Sequence, residues 1–146
     1  MAERDISVQV MSDPRLLKPI RGLVRNYTSS MGFDEERTDA IVLAVDEACT
    51  NAIRHAYGGN AKRKICLSLH ADKRWMEIEV KDDGKPAPKD CIPVHPQQPP
   101  SMEALKPGGL GVQLIFDVFD DVVFCPGAKR GNLVLMRARR PKNGKG

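Results

Sequence analysis

The sequence predicts a two-layer α/β sandwich: a mixed, mostly antiparallel sheet of about five strands with three helices on one face. Three observations predict it. Short apolar segments come in pairs joined by turns too short for a crossover, so those strands must be antiparallel. Three other segments carry apolar residues at helical spacing. The order β-α-α-β-β, a proline-rich stretch, then α-β-β lets the helices cover one face of the sheet. The chain's 146 residues suit a single domain over 1–146. Only 5% are aromatic, so the core should be mostly aliphatic.

The elements follow in order. Residues 5–10, DISVQV, alternate as a short strand. Ser12-Asp13-Pro14 is a helix-start signal, and Leu16, Leu17, Ile20, Leu23, Val24 and Tyr27 follow at helical spacing. Pro19 conflicts with that helix, which either begins near it or bends there. Met31-Gly32 ends it. Asp34 reads as an N-cap, with Glu35 and Glu36 in a first turn where the helix dipole favours acids. The second helix runs from Glu35 to about Tyr57, with Ile41, Val45, Ala48 and Ala52 as its apolar face, and stops at Gly58-Gly59-Asn60. Lys64–His70 and Trp75–Lys81 then form a hairpin. Ile65, Leu67, Leu69 and Met76, Ile78, Val80 lie on its inner face.

Composition changes abruptly at residues 85–107, which hold seven of the eleven prolines. No regular helix or central strand survives there. Structureless segments this long in compact domains are often lids or binding loops. Gly108-Gly109-Leu110-Gly111 follows and opens a short helix bearing Val112, Leu114, Ile115, Val118 and Phe119. A second hairpin, Asp121–Cys125 and Asn132–Arg139, ends the fold.

The net charge of +4 is unevenly placed. Residues 122–146 hold seven basic residues and no acid, which leaves residues 1–121 with 16 basic and 19 acidic residues, a net of −3. The basicity belongs to the C-terminal end and does not mark the whole surface as a nucleic-acid footprint. From Cys125 onward there is no aromatic residue to stack on a base. No apolar run approaches the ~20 residues of a membrane span. The opening MAERDISVQVMSD is not a secretory signal. Cys49, Cys66, Cys91 and Cys125 form no CxxC pair, so buried or half-buried thiols in a cytoplasmic protein are expected.

Three motifs carry chemistry. Glu47, Asn51 and His55 stand at i, i+4, i+8 on one face of the long helix. Asn is a mediocre helix former, so its place there needs a reason beyond a solvated face. A carboxylate and an amide oxygen one turn apart hold a divalent cation and its waters, or the carboxylate takes a proton from a nucleophile. Asp82-Asp83-Gly84 ends a strand. It is either a plain turn or a carboxylate placed to accept a base's exocyclic amine, with Gly84 admitting the ligand to the backbone. Gly108-Gly109-Leu110-Gly111 stands at a helix N-terminus, as a hinge or as amides aimed at an anion. No Walker-type GxxxxGK[ST] occurs.

In that order the motifs resemble the GHKL, or Bergerat-fold, ATPases, over nearly the whole chain. AVDEACTNAIRHAY (Ala44–Tyr57) is similar to the N-box of the anti-sigma-factor serine kinases, VKDDG (Val80–Gly84) to the G1 box, and GGLGVQLIFDVFDDVVF (Gly108–Phe124) to the G2 box with its helix and strand. The resemblance implies ATP and Mg²⁺ as cofactors. It implies that Glu47 is the catalytic base or orients the nucleophile, and that Asn51 ligates Mg²⁺. Asp82 would hydrogen-bond the adenine amino group, with Gly84 as the first G1 glycine. Gly109, Leu110 and Gly111 would cradle the phosphates, with Gly108 as hinge. Residues 85–107 would be a flexible ATP lid and residues 140–146 a basic tail. Pro86 replaces the second G1 glycine and Pro107 the first G2 glycine of many members. Both changes bear on lid closure more than on nucleotide binding.

The function implied is that of an anti-sigma factor and serine-protein kinase. It would phosphorylate a STAS-domain anti-anti-sigma partner and switch between that partner and a sigma factor. Self-association through the first helix or a sheet edge is compatible with it. Direct nucleic-acid and membrane binding are not expected. No stretch of the chain supplies dimerisation helices, a transducer or a receiver domain, so a sensor histidine kinase, gyrase or mismatch-repair ATPase is not expected. The alternative is a nucleotide-binding module that sequesters a regulatory partner without catalysis. Retention of both Glu47 and Asn51 favours the kinase. The basic end then reads as a solvated strand face and frayed tail, or as a contact for an acidic partner.

Overall fold

The computed structural model describes residues 3–87 and 109–142. The proposed lid beyond Ala87, Gly108, Cys91 and the last four residues lie outside them. Five strands, β1 (Ile6–Met11), β2 (Lys64–Ala71), β3 (Trp75–Asp82), β4 (Asp121–Pro126) and β5 (Asn132–Arg139), form one sheet in the order β1-β2-β3-β5-β4. Every neighbouring pair is antiparallel, so the sheet expected to be mixed is antiparallel throughout. Its register aligns Val8, Leu67, Val80 and Val134 across four strands. Ile65, Leu67, Leu69, Met76, Ile78, Val80, Met136 and Ala138 are buried with the apolar residues of the helical layer.

Asp13 accepts from the Arg15 N–H and caps a single 3-10 turn, Pro14–Leu16, which leads into α1 (Leu17–Ser30). Pro19 falls in the first turn of α1, where its missing N–H has no intrahelical partner to lose. The conflict it posed therefore resolves as a helix start. Gly32, at a φ of 98°, turns the chain after α1.

Asp34 accepts from the Arg37 N–H at 2.7 Å and caps α2 (Glu35–Asn51), with Glu35 and Glu36 in the first turn as expected. Ile41, Val45, Ala48 and Cys49 form its buried face. Asp46 pairs with Arg21 at 2.8 Å, and Asp39 pairs with Arg25, tying α2 to α1. The expected α-helix to Tyr57 is not continuous. After Asn51 the backbone widens into a π turn, Ala52–Ala56, where the Tyr57 N–H reaches the Ala52 carbonyl and the Gly59 N–H the Ile53 carbonyl. α3 (Gly109–Val118) buries Ile115 and Val118 and packs along α2.

The hairpin loop between β2 and β3 is closed by Asp72, whose side chain accepts from the Arg74 and Trp75 N–H groups. These bonds hold its carboxyl below the usual range. Cys49 is buried, and burial pushes its thiol up to about 12. Cys66 is half-buried, but Cys125 is exposed, against expectation, because it sits on the open face of edge strand β4. Among the described residues, no helix is long and apolar enough to cross a membrane.

Candidate functional site

The topology brings the end of the helix carrying Glu47 and Asn51 and the loop after Asp82 together at one end of the sheet. Asp82 lies at the end of β3, opposite Asn132 at the start of β5. α2 begins at the other end, where Arg37 pairs with Asp120 at 3.6 Å. It finishes at the Asp82 end, where the Lys85 N–H donates to the Ala56 carbonyl at 2.8 Å. The π turn thus follows Asn51 directly and touches the loop that follows Asp82. α3 ends beside Asp120, near the first turn of α2, and packs along α2. Its N-terminal turn carries the positive end of the helix dipole. Gly109, Leu110 and Gly111 form the first turn of α3.

Among the described residues, Asp82 is the one acidic residue in the buried set, at 8% exposure. Burial raises its pKa above the ordinary carboxylate value, opposed by hydrogen bonds from Gly84 and Asn132. The Gly84 N–H donates to Oδ1 at 2.9 Å and the Asn132 side-chain amide donates to the same oxygen at 3.0 Å. A buried carboxylate held by two donors has a fixed plane, which suits a single oriented acceptor. Glu47 and Asn51 are half-buried on the preceding helix, and His55 is exposed within the π turn.

Gly84 has a different cause from the one expected. A Cβ there would collide with the Ala56 carbonyl and come within 2.8 Å of the Tyr57 ring. The room that glycine makes is filled by the chain itself. The loop is fastened further by residues that sequence reading missed. The Asp83 N–H donates to the Tyr57 hydroxyl at 2.7 Å, and that hydroxyl donates to the Lys64 carbonyl. Arg63 lies over the Tyr57 ring and donates to the Asp83 carbonyl at 3.0 Å. Arg130 pairs with the Asp83 side chain at 2.7 Å, and the Gly131 N–H donates to the Gly84 carbonyl at 2.6 Å. Asn132 adds bonds to both Lys85 and Ala87. The only sequence signal for this cluster was the position of Arg130-Gly131-Asn132 at the start of a strand.

The basic end is less free than its composition suggested. Arg137 lies near Glu77 and Asp121, and its guanidinium stacks on Trp75 at 4.2 Å. Arg140 donates to the Met31 and Asp72 carbonyls. Acids and carbonyls from the rest of the chain absorb much of this charge, which the reading as a solvated face and tail had not foreseen.

Among the described residues no group of three or more His, Cys, Asp and Glu side chains could hold a metal. A protein-only cage is therefore not what this site offers. Glu47 and Asn51 supply one carboxylate and one amide oxygen, a donor set that fits magnesium, which takes most of its ligands from phosphates and water.

The profile of the histidine kinase-like ATPase domain matches residues 10–138. The chain belongs to this family of ATP-binding domains. It is 32% identical over 122 residues to the serine-protein kinase RsbW of Oceanobacillus iheyensis, covering 80% of this chain and 76% of that one. The RsbW of Bacillus subtilis is 28% identical, covering 80% and 75%. Among solved structures, the RsbU and RsbW domains of a Mycobacterium tuberculosis protein superpose with a TM-score of 0.62 at 15% identity. That match covers 93% of this chain and 32% of the other, and it establishes the shared fold. The superfamily and the two-layer ATPase fold read from the three motifs are both borne out.

Proposed function

We propose that this protein is an ATP-dependent serine-protein kinase and anti-sigma factor. It phosphorylates a serine of a STAS-domain antagonist and holds either that antagonist or a sigma factor. The observation that supports the reading is that the turn following Asn51 and the loop following the buried Asp82 carboxylate are joined at one end of the sheet, where the Lys85 N–H donates to the Ala56 carbonyl. Its relatives named serine-protein kinase supply the reaction class.

Asp82 accepts a hydrogen bond from the adenine amino group, its carboxylate held in plane by Gly84 and Asn132. Gly109, Leu110 and Gly111 turn backbone amides towards the phosphates, and Gly108 is their hinge. Residues 85–107 form the lid over them. Asn51 would help hold Mg²⁺, which would neutralise charge on the transferring group. Glu47 takes the proton of the serine hydroxyl as its oxygen bonds to the γ-phosphorus. The bond from that phosphorus to the bridging oxygen breaks, and ADP leaves. Positioning and electrostatics supply most of such catalysis. The proposed site of action is the cytoplasm. α1 and the edge strands of the sheet, β1 and β4, are the surfaces proposed for self-association.

The test is incubation with ATP, Mg²⁺ and a STAS-domain protein from the same genome. Phosphoserine on that protein is the expected product. Stable association of the two without phosphoserine overturns the kinase reading in favour of a non-catalytic, sequestering module.

A further inference from the structure

The two ends of the sheet treat charge differently. At the end where β5 finishes, the signs alternate: Arg137 lies between Glu77 and Asp121, and Arg37 faces Asp120. The end that carries Asp82 is basic. Arg54 of the π turn, Lys62, Lys64 at the start of β2, Lys85 after β3 and Lys129 in the β4–β5 turn are all exposed there. None of these five pairs with an acid among the described residues. The contacts that close this end also gather them. The Lys85 N–H donates to the Ala56 carbonyl, the Arg63 guanidinium to the Asp83 carbonyl, and the Gly131 N–H to the Gly84 carbonyl. The nearby acids are engaged already. Asp82 is buried, Asp83 pairs with Arg130, and Asp13 pairs with Arg15.

We propose that this end of the sheet is an electrostatic docking collar for an acidic surface of the protein antagonist. The proposal rests on the reading of that antagonist as the substrate, and it names the chemistry by which the antagonist is met. Like charges gathered this closely repel one another. A partner surface of opposite sign turns that cost into attraction. Exposed charges of this kind speed encounter more than they hold the finished complex. Ala56 lies on the turn that continues the helix bearing Glu47 and Asn51, so a partner seated on the collar stands at the end of that helix. The chemistry favours a protein over a nucleic acid. Tyr57, the aromatic residue at this end among the described residues, is buried and covered by Arg63. That leaves no ring there for a base to stack on.

The experiment is stopped-flow association of the full chain with a STAS-domain protein from the same genome, from roughly 20 to 500 mM salt. Lys62→Glu with Lys129→Glu reverses two exposed collar charges. Lys73→Glu with Lys142→Glu makes the same change of net charge at the far end of the sheet. Thermal melting checks folding of both. Wild-type association should slow steeply as salt rises. The collar variant should associate roughly tenfold more slowly at low salt, with a flatter salt dependence. Its dissociation rate and ATP affinity should stay within about twofold of wild type. The far-end variant should match wild type. Equal slowing by the two variants, the signature of net charge alone, overturns the proposal. So does a wild-type rate indifferent to salt. If the collar variant loses ATP or RNA association while its rate with the protein is unchanged, the collar serves that ligand and the proposal falls. A wild type that does not bind the STAS-domain protein at any salt overturns the partner reading, and the proposal with it.

Discussion

Ala56 and Gly84 meet backbone to backbone. The Ala56 carbonyl accepts from the Lys85 N–H and fills the space in which a Cβ on residue 84 would stand. The end of the N-box helix and the loop carrying Asp82 are therefore one packed unit. Gly84→Ala forces the two backbones apart. Neither backbone is the free end of a flexible chain, so the strain cannot relax cheaply. The expected cost is about 2 kcal/mol, a fall in melting temperature of roughly 4–8 °C for a domain of this size. Melting of the nucleotide-free protein checks it. An unchanged midpoint would show that the loop yields easily.

Glu47 and Asn51 share a helix face but are assigned different work, which substitution separates. Glu47→Gln keeps size and polarity and removes the proton acceptor. Phosphoryl transfer should fall by about 10²–10⁴-fold, the usual contribution of a general base. Nucleotide affinity should stay near wild type. Asn51→Ala should instead weaken ATP binding in the presence of Mg²⁺ more than in its absence. Titrations with and without EDTA, beside the phosphotransfer assay, resolve the pair. Equal loss of binding in both variants would merge the two roles.

The cysteines differ in chemistry because they differ in place. The Cys49 thiol, buried on α2, has its pKa pushed up to about 12 by burial, with Asp46 adding to it. Its thiolate is almost absent at neutral pH. Cys125 is exposed on an edge strand. Brief treatment of the folded protein with a maleimide should label Cys125 and spare Cys49, as peptide mass mapping would show. Labelling of Cys49 at the rate of Cys125 would mean that α2 opens readily from the sheet.

Much of this was legible in the sequence where the physics is local. Asp34 caps α2 because its side chain needs only the N–H of Arg37, three residues on. The inner faces of β2 and β3 follow from period-two alternation. What was not legible depends on distant partners. The π turn at Ala52–Ala56 accompanies a carbonyl whose partner is Lys85. Asn132 is an unremarkable first strand residue until the register sets it opposite Asp82, fifty positions away. Trp75 and Arg137 are brought together only by the β3–β5 pairing. The site's chemistry was carried by motifs, whereas its rigidity was carried by contacts that no motif contains.

Asp82 gives the sharpest test of the site, because its charge opposes folding and, in the proposed function, serves binding. Burial raises its folded pKa above the unfolded value of 3.8. The native state then holds its proton more tightly than the unfolded chain. The ionised carboxylate therefore costs stability above the folded pKa, and that cost fades as pH falls through it towards the unfolded value. Asp82→Asn removes the charge and leaves an oxygen to accept from Gly84 and Asn132. Without nucleotide, the variant at neutral pH should melt no lower than wild type. With ATP and Mg²⁺ it should lose most of the ligand-induced rise in melting temperature, because an amide cannot replace the ionised acceptor. A charge-assisted hydrogen bond of about 2 kcal/mol corresponds to roughly 30-fold in affinity. Melting curves with and without ATP, across acid to neutral pH, measure both effects. Equal ATP affinity in the two proteins would remove Asp82 from the adenine site.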